Sequence, residues 1–298
     1  MTAPRRILSN ATLMLTRRCL NRMFLLRPSE RSNQLFSYIL AVAAQKYGIA
    51  LHAFCVLSNH FHLVLTDPDR NAPAFMQYLC GLVARSFNEM HGTWETFFAP
   101  GSYSAVSLTT PADVLGKVAY VLGNPAASAL VPRGSEWPGL WSAPAQIGGS
   151  AIEVERPEGF FRAEGPMPRS ATLGLVCPPG FESVEAFRQQ LVAELTALEN
   201  RAAQQVAEAD GAFLGARKVL AQRPQARPAS VEPRRGLNPR IACQDKWKRI
   251  EAIGRLAEFL AAYRVAWRAF RDGVHDTVFP HGTYWMRIAH GACCAAAG

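Results

Sequence analysis

Two histidines one residue apart, His60 and His62, sit in the apolar stretch Val56-Leu57-Ser58-Asn59-His60-Phe61-His62-Leu63-Val64-Leu65. The flanking residues predict a strand, and side chains on a strand alternate between its faces. Both imidazoles then project from one face, where two of them can hold one divalent metal ion, while Phe61 goes to the other. Taken alone, an H-x-H pair reads as two hydrogen-bonded histidines at a strand end. A second feature stands some sixty residues later, where Tyr120 and Asn124 lie four apart and Pro125 follows. On a helix the two share a face. Pro125 has no N–H to give the carbonyl of Val121, which predicts a kink or an end there. A tyrosine hydroxyl is a poor nucleophile near neutral pH, because its pKa is about 10. A metal ion that polarises a phosphate ester changes the balance, and tyrosine can then attack phosphorus and become covalently attached. Two neutral imidazoles leave coordination positions open for the phosphate and a third protein ligand. The carbonyl oxygen of Asn124 is a candidate for that ligand, and a hard oxygen donor suits Mg²⁺ or Mn²⁺.

Positioning these four residues requires a sheet with a helix beside it. The pattern predicts a first strand over residues 8–19 and an amphipathic helix over 29–47, with Ser29 as N-cap and Gly48 as its end. Strands over 49–57 and 60–66 follow, separated by the turn signal Ser58-Asn59. A second helix is predicted over 72–90, and a fourth strand within 94–108. Thr110-Pro111-Ala112-Asp113 is a helix-start signature, and that third helix is expected to reach about Asn124. Strand, helix, strand, strand, helix, strand, helix is an α+β order. It fits a ferredoxin-like antiparallel sheet with helices packed on it. Beyond it the reading expects a linker over 146–180, rich in Pro and Gly, and a helical C-terminal extension over 181–298. That extension holds helices over 182–222 and 244–272 and a basic, proline-containing loop between them. Residues 1–145 form the expected catalytic domain.

The chain has 298 residues and a net charge of +9, a balance that favours an acidic partner such as nucleic acid or an anionic surface. The positive charge is concentrated. Residues 1–27 carry Arg5, Arg6, Arg17, Arg18, Arg22 and Arg27 and no acid, and residues 217–249 carry ten Lys or Arg against Glu232 and Asp245. Arg17, Arg18 and Arg22 follow the first strand and are candidates to track a DNA backbone beside the metal site. Arg234 and Arg235, in the basic loop, are candidates to grip a flanking hairpin or duplex. Seven cysteines form no C-x-x-C pair, which excludes a zinc-finger framework and points to a reducing compartment. No signal peptide or membrane span is evident. The expectation is a cytoplasmic protein associated with the nucleoid, with no membrane partner.

Leu57-Ser58-Asn59-His60-Phe61-His62-Leu63-Val64 resembles the two-histidine metal motif of HUH-type single-tyrosine transposases. Tyr120-Val121-Leu122-Gly123-Asn124-Pro125 resembles the tyrosine helix of the REP-associated tyrosine transposase branch, which is IS200-like. Glu136-Trp137-Pro138-Gly139-Leu140-Trp141-Ser142 resembles the Trp-Pro segment that follows it. The resemblance covers about residues 8–142. It implies cleavage of single-stranded DNA, with hairpin structure, through a 5′-phosphotyrosine link and a free 3′-OH. By it Tyr120 is the nucleophile and His60, His62 and Asn124 are metal ligands. The chain departs from the family where Ser58 replaces a common Pro, where Ala126-Ala127-Ser128-Ala129 replaces a segment that commonly carries Arg, and where Glu95 follows Trp94. These departures touch the DNA target rather than the chemistry. Two other readings stand beside it: a DNA-binding protein that keeps the fold without cleavage, and a zinc hydrolase in which His52 joins the histidine pair. The sequence leaves monomer and homodimer equally open.

Overall fold

A computed structural model describes residues 4–230 and 239–296. Its central sheet runs in the order β2 (Ala50–Leu57), β3 (His60–Asp67), β1 (Ala11–Arg18), β4 (Ser104–Leu108), with every one of these pairs antiparallel. A short β5 (Ile241–Ala242) pairs parallel to β4 at the outer edge. Helices α1 (Glu30–Tyr47) and α2 (Ala72–His91) connect β1 to β2 and β3 to β4. That is the ferredoxin-like connectivity predicted from the sequence.

The two faces of the sheet differ because of strand alternation. Leu15 opposes Leu63 and Leu13 opposes Leu65 on one face. Phe61, on that face, packs edge-on against Phe36 of α1 with ring centres 5.3 Å apart. The other face carries Thr12, Thr16, His60, His62 and Thr66, and α3 (Pro111–Ala127) lies across it. Helices α1 and α3 start where their capping chemistry dictates. Ser29 and Ser32 form a reciprocal capping box on α1, and Thr110 and Asp113 form another on α3. Gly48 closes α1 in the left-handed conformation, at φ 62°.

Two expectations are corrected. The helix α3 does not stop at Asn124: Pro125 lies inside it, and the helix runs on to Ala127. Proline removes one hydrogen bond near the end of the helix, and the amides of Ser128 and Leu130 close it by bonding to the carbonyls of Asn124 and Pro125. The stretch 146–180, expected as a linker, is built into the body. It forms a two-stranded antiparallel hairpin, β6 (Ile152–Glu155) with β7 (Ser170–Leu173). Ile147, Ala171, Leu173 and Leu175 are buried in the same core as the sheet. Its proline and glycine content marks turns, and its apolar residues are too sparse to show a period. Upstream of it, the Trp-Pro segment lines the free edge of β2. The Val56 amide donates to the Leu140 carbonyl, the Trp137 indole to the Val56 carbonyl, and the Trp141 indole to the Leu122 carbonyl of α3.

In the extension the helix expected over 182–222 is divided into α4 (Val184–Glu208) and α5 (Ala216–Leu220), and α6 (Lys246–Arg271) and α7 (Trp285–His290) follow. Phe187, Leu191 and Leu195 of α4 join the main core, and Gly123 of α3 leaves room for Leu195 and Leu198 against it. The buried Glu199 carboxylate accepts from the Gly134 amide at 2.7 Å and pairs with Arg133 at 3.1 Å, fixing the far end of α4. Helix α6 is mostly exposed and packs with α7 in a separate small cluster around Phe279. Among the described residues no helix is long and apolar enough to cross a membrane.

Candidate active site

His60 opens β3 immediately after the Ser58-Asn59 turn, and His62 follows on the same face. Their ring centres are 4.8 Å apart and their planes perpendicular, close enough to share one ion. His62 is buried and its two nitrogens face different partners. Nδ1 lies 2.7 Å from the hydroxyl of Thr16, which is directly opposite it on β1. Nε2 lies 3.3 Å from the side-chain amide of Asn124 on α3. Burial first, then the neighbouring His60 and Lys117, hold the His62 imidazole well below its ordinary pKa. It is therefore neutral near pH 7, with a lone pair to give. His60 is half-buried, with Nδ1 2.6 Å from the Asn59 side-chain oxygen.

Tyr120 and Asn124 reach this face from α3, one turn apart. The Tyr120 ring stands edge-on to His62, with centres 5.8 Å apart, and is 41% exposed. Burial of the rest of the ring pushes its phenol above the ordinary value, against a hydrogen bond from Asn124 that draws it down. Lys117, one turn before Tyr120, places its ammonium 5.2 Å from the centre of that ring.

The donor set suits a hard divalent ion. A ligating imidazole ordinarily has its second nitrogen held by a hydrogen-bonding partner, and Thr16 provides that for His62. The amide of Asn124 presents nitrogen or oxygen to Nε2 by a half-turn of the same group. Ser128, whose hydroxyl is 3.3 Å from the Asn124 oxygen, can donate to that oxygen or accept from the amide nitrogen. With the oxygen inward, His60, His62 and Asn124 offer two nitrogens and one oxygen. The zinc reading fails on His52. Both of its ring nitrogens are engaged, one 2.9 Å from the Val176 carbonyl oxygen and the other 2.8 Å from the Thr66 hydroxyl. Among the described residues no three His, Cys, Asp or Glu side chains converge on one point.

The predicted basic residues separate. Arg18 lies opposite His60 on β1, on the histidine face and exposed. Arg17 falls on the other face, where its guanidinium sits 5.2 Å over the Phe98 ring and donates to the Gly101 carbonyl at 2.8 Å. Strand alternation makes that unavoidable for adjacent residues. Arg22 donates to the Ser230 carbonyl and hydroxyl at 2.6 and 3.0 Å, so it meets the basic loop at that residue. Arg234 and Arg235 lie outside the described residues. Two residues of the site escaped the sequence reading. Thr16 is found only through the register of β1 on β3, which no local pattern encodes. Lys117 was within reach, since it stands at i−3 from Tyr120 on the same helical face.

No protein-family model matches the chain, and no curated protein does. Solved structures do. One is a REP-associated tyrosine transposase bound to a REP hairpin: 20% identity, TM-score 0.40, covering 47% of this chain and 81% of that one. Another comes from Deinococcus radiodurans R1 and is provisionally assigned as a transposase: 23% identity, TM-score 0.29, covering 37% of this chain and 87% of that one.

Proposed function

We propose that the protein is a metal-dependent nickase and strand transferase of single-stranded DNA, of transposase type, with Tyr120 as nucleophile. One observation carries the reading. Two residues of α3, Tyr120 and Asn124, meet the buried His62 of β3 on the face of the sheet that α3 crosses, from 58 and 62 positions away in sequence. Nothing in the packing requires a phenol, an amide and two imidazoles there, and apolar side chains would fill the same space at less cost in desolvation.

In this reading His60, His62 and Asn124 hold Mg²⁺ or Mn²⁺, which would polarise the scissile phosphate and offset the charge that develops on its oxygens. The Tyr120 oxygen forms the new bond to phosphorus and the bond from phosphorus to the 3′ oxygen breaks. The phenolic proton leaves to solvent, to which the ring is open, and the departing 3′ oxygen takes up a proton to become a 3′-OH. The resting phenol is protonated near pH 7, so its proton has to be lost as the oxygen attacks. Asn124 touches both Tyr120 and His62, and thereby couples the position of the nucleophile to that of the metal site. The phosphotyrosine keeps the energy of the broken phosphodiester, so a second 3′-OH can reverse the step on another strand without ATP. The expected partner is single-stranded DNA bearing a hairpin.

The test is a denaturing gel after incubation with hairpin-bearing single-stranded oligonucleotides in Mg²⁺ or Mn²⁺. A covalent protein–DNA adduct is expected, lost in Tyr120→Phe and with EDTA. Binding without any adduct across several such substrates would replace this reading with that of a DNA-binding protein that keeps the fold but not the reaction.

A further inference from the structure

Beside the Tyr120 face, a cleft of about 370 Å³ opens between α3 and the segment that joins β5 to α6. Its walls are Asp113, Gly116 and Lys117 of α3, Ile241–Gln244, and Arg249 on the first turns of α6. Three donors from three places in the chain face it. Lys117 offers an ammonium, Arg249 an exposed guanidinium, and Gln244 its side-chain amide. The Gln244 amide nitrogen lies so close to α3 that even a Cβ added at Gly116 would stand 3.3 Å from it. The one acid present, Asp113, is already committed. One oxygen accepts from the Gln244 backbone amide at 2.7 Å, and the other accepts from Thr109, from the Thr110 hydroxyl and from the Thr110 amide. With Lys117 and Arg249 against Asp113, the cleft therefore keeps one net positive charge, and its one carboxylate is held by donors of its own. Lys117 belongs to both places, since the same ammonium lies over the ring of Tyr120.

We infer that this cleft is a second phosphate subsite, which binds a backbone phosphate of the DNA strand next to the one that Tyr120 attacks. It rests on the proposed DNA-cleaving function. It also gives the C-terminal extension a role: the β5–α6 connection and α6 supply Gln244 and Arg249 to a groove whose other wall is the helix that carries the nucleophile. A phosphodiester is the chemistry that fits. It carries a single negative charge and two oxygens open to acceptance, and a guanidinium can meet both at once. Stacking of a base would call for an aromatic face, and the cleft walls have none.

The test uses full-length Tyr120→Phe protein, so that cleavage plays no part, and a fluorescein-labelled single-stranded 30-mer followed by anisotropy across a salt series. Each phosphate contact contributes roughly 0.7 to the slope of log K against log salt on a single strand. Arg249→Gln and Lys117→Gln should each lower the slope by about that amount. Arg264→Gln, which removes an exposed charge farther along α6, should leave it unchanged. A methylphosphonate scan supplies a second readout. Neutralising one phosphate adjacent to the scissile position should weaken binding by the parent protein several-fold, and have little further effect on Arg249→Gln. Slopes and scans that are the same in the parent and in Arg249→Gln would overturn the subsite while leaving the DNA-cleaving function standing. A parent protein that does not bind the strand at any salt concentration would overturn both.

Discussion

The Nδ1 atom of His62 lies 2.7 Å from the hydroxyl of Thr16, so the orientation of this imidazole is set from β1 rather than by its own strand. Loss of such a supporting hydrogen bond ordinarily weakens metal binding by about 10–100-fold. Thr16→Val keeps the shape and removes the hydroxyl. It should raise the Mg²⁺ or Mn²⁺ concentration needed for half-maximal adduct by that factor, and adduct yield should recover at saturating metal. An unchanged metal dependence would mean that the hydroxyl does not orient His62 for an ion. A loss that metal cannot rescue would place the effect in folding instead. Asn124 differs in kind, because it touches both Tyr120 and the histidine, and its removal should lower metal affinity and the rate at saturating metal together.

At the scale of an element, β2 shows how a polar residue can be built into a core strand. His52 occupies a register shift between Leu51 and Ala53. Its ring joins Thr66, and through it Thr12, to the Val176 carbonyl, so one chain of hydrogen bonds crosses three strands. Burial lowers the His52 pKa from 6.5 to about 4. The folded protein thus binds this proton less readily than the unfolded chain, and stability is complete above pH 6.5 and declines as pH falls toward 4. A shift of that size corresponds to about 3 kcal/mol at full protonation of the unfolded chain. Urea denaturation at pH 7 and at pH 4 should show a larger loss in the parent than in His52→Gln, by up to that amount. His62 titrates in both proteins and cancels from the difference. Equal losses would show that His52 is protonated in the folded state without cost.

Across the whole molecule, the core does not stop where the catalytic motifs stop. Ile147, Leu173, Leu175, Phe187, Leu191 and Leu195 are all buried in the cluster that contains the sheet. Each such side chain contributes about 1.5–3 kcal/mol on burial, and six of them together match the whole net stability of a domain, about 5–15 kcal/mol. A fragment ending at residue 145 should therefore show no cooperative thermal transition, even though it contains every residue of the candidate active site. A fragment ending at residue 244 should melt cooperatively, because α6 and α7 form their own cluster around Phe279. A cooperative melt of the shorter fragment would mean that the hairpin and α4 decorate a core that is already complete.

Legible along the chain were the order of the elements as far as α3, the caps at Ser29 and Thr110, the facing of His60 with His62, and the pairing of Tyr120 with Asn124. All of these rest on local periods and capping chemistry, which act over a few residues. Lys117 was legible by the same helical spacing. The partnership of Thr16 with His62, the parting of Arg17 from Arg18, and the incorporation of residues 146–180 were decided by tertiary structure. So was the meeting of α3 with β3. Strand register, crossover packing and burial join residues tens of positions apart, and no local pattern carries that information. The cleft between α3 and α6 belongs to the same class, because its walls come from segments more than 120 residues apart.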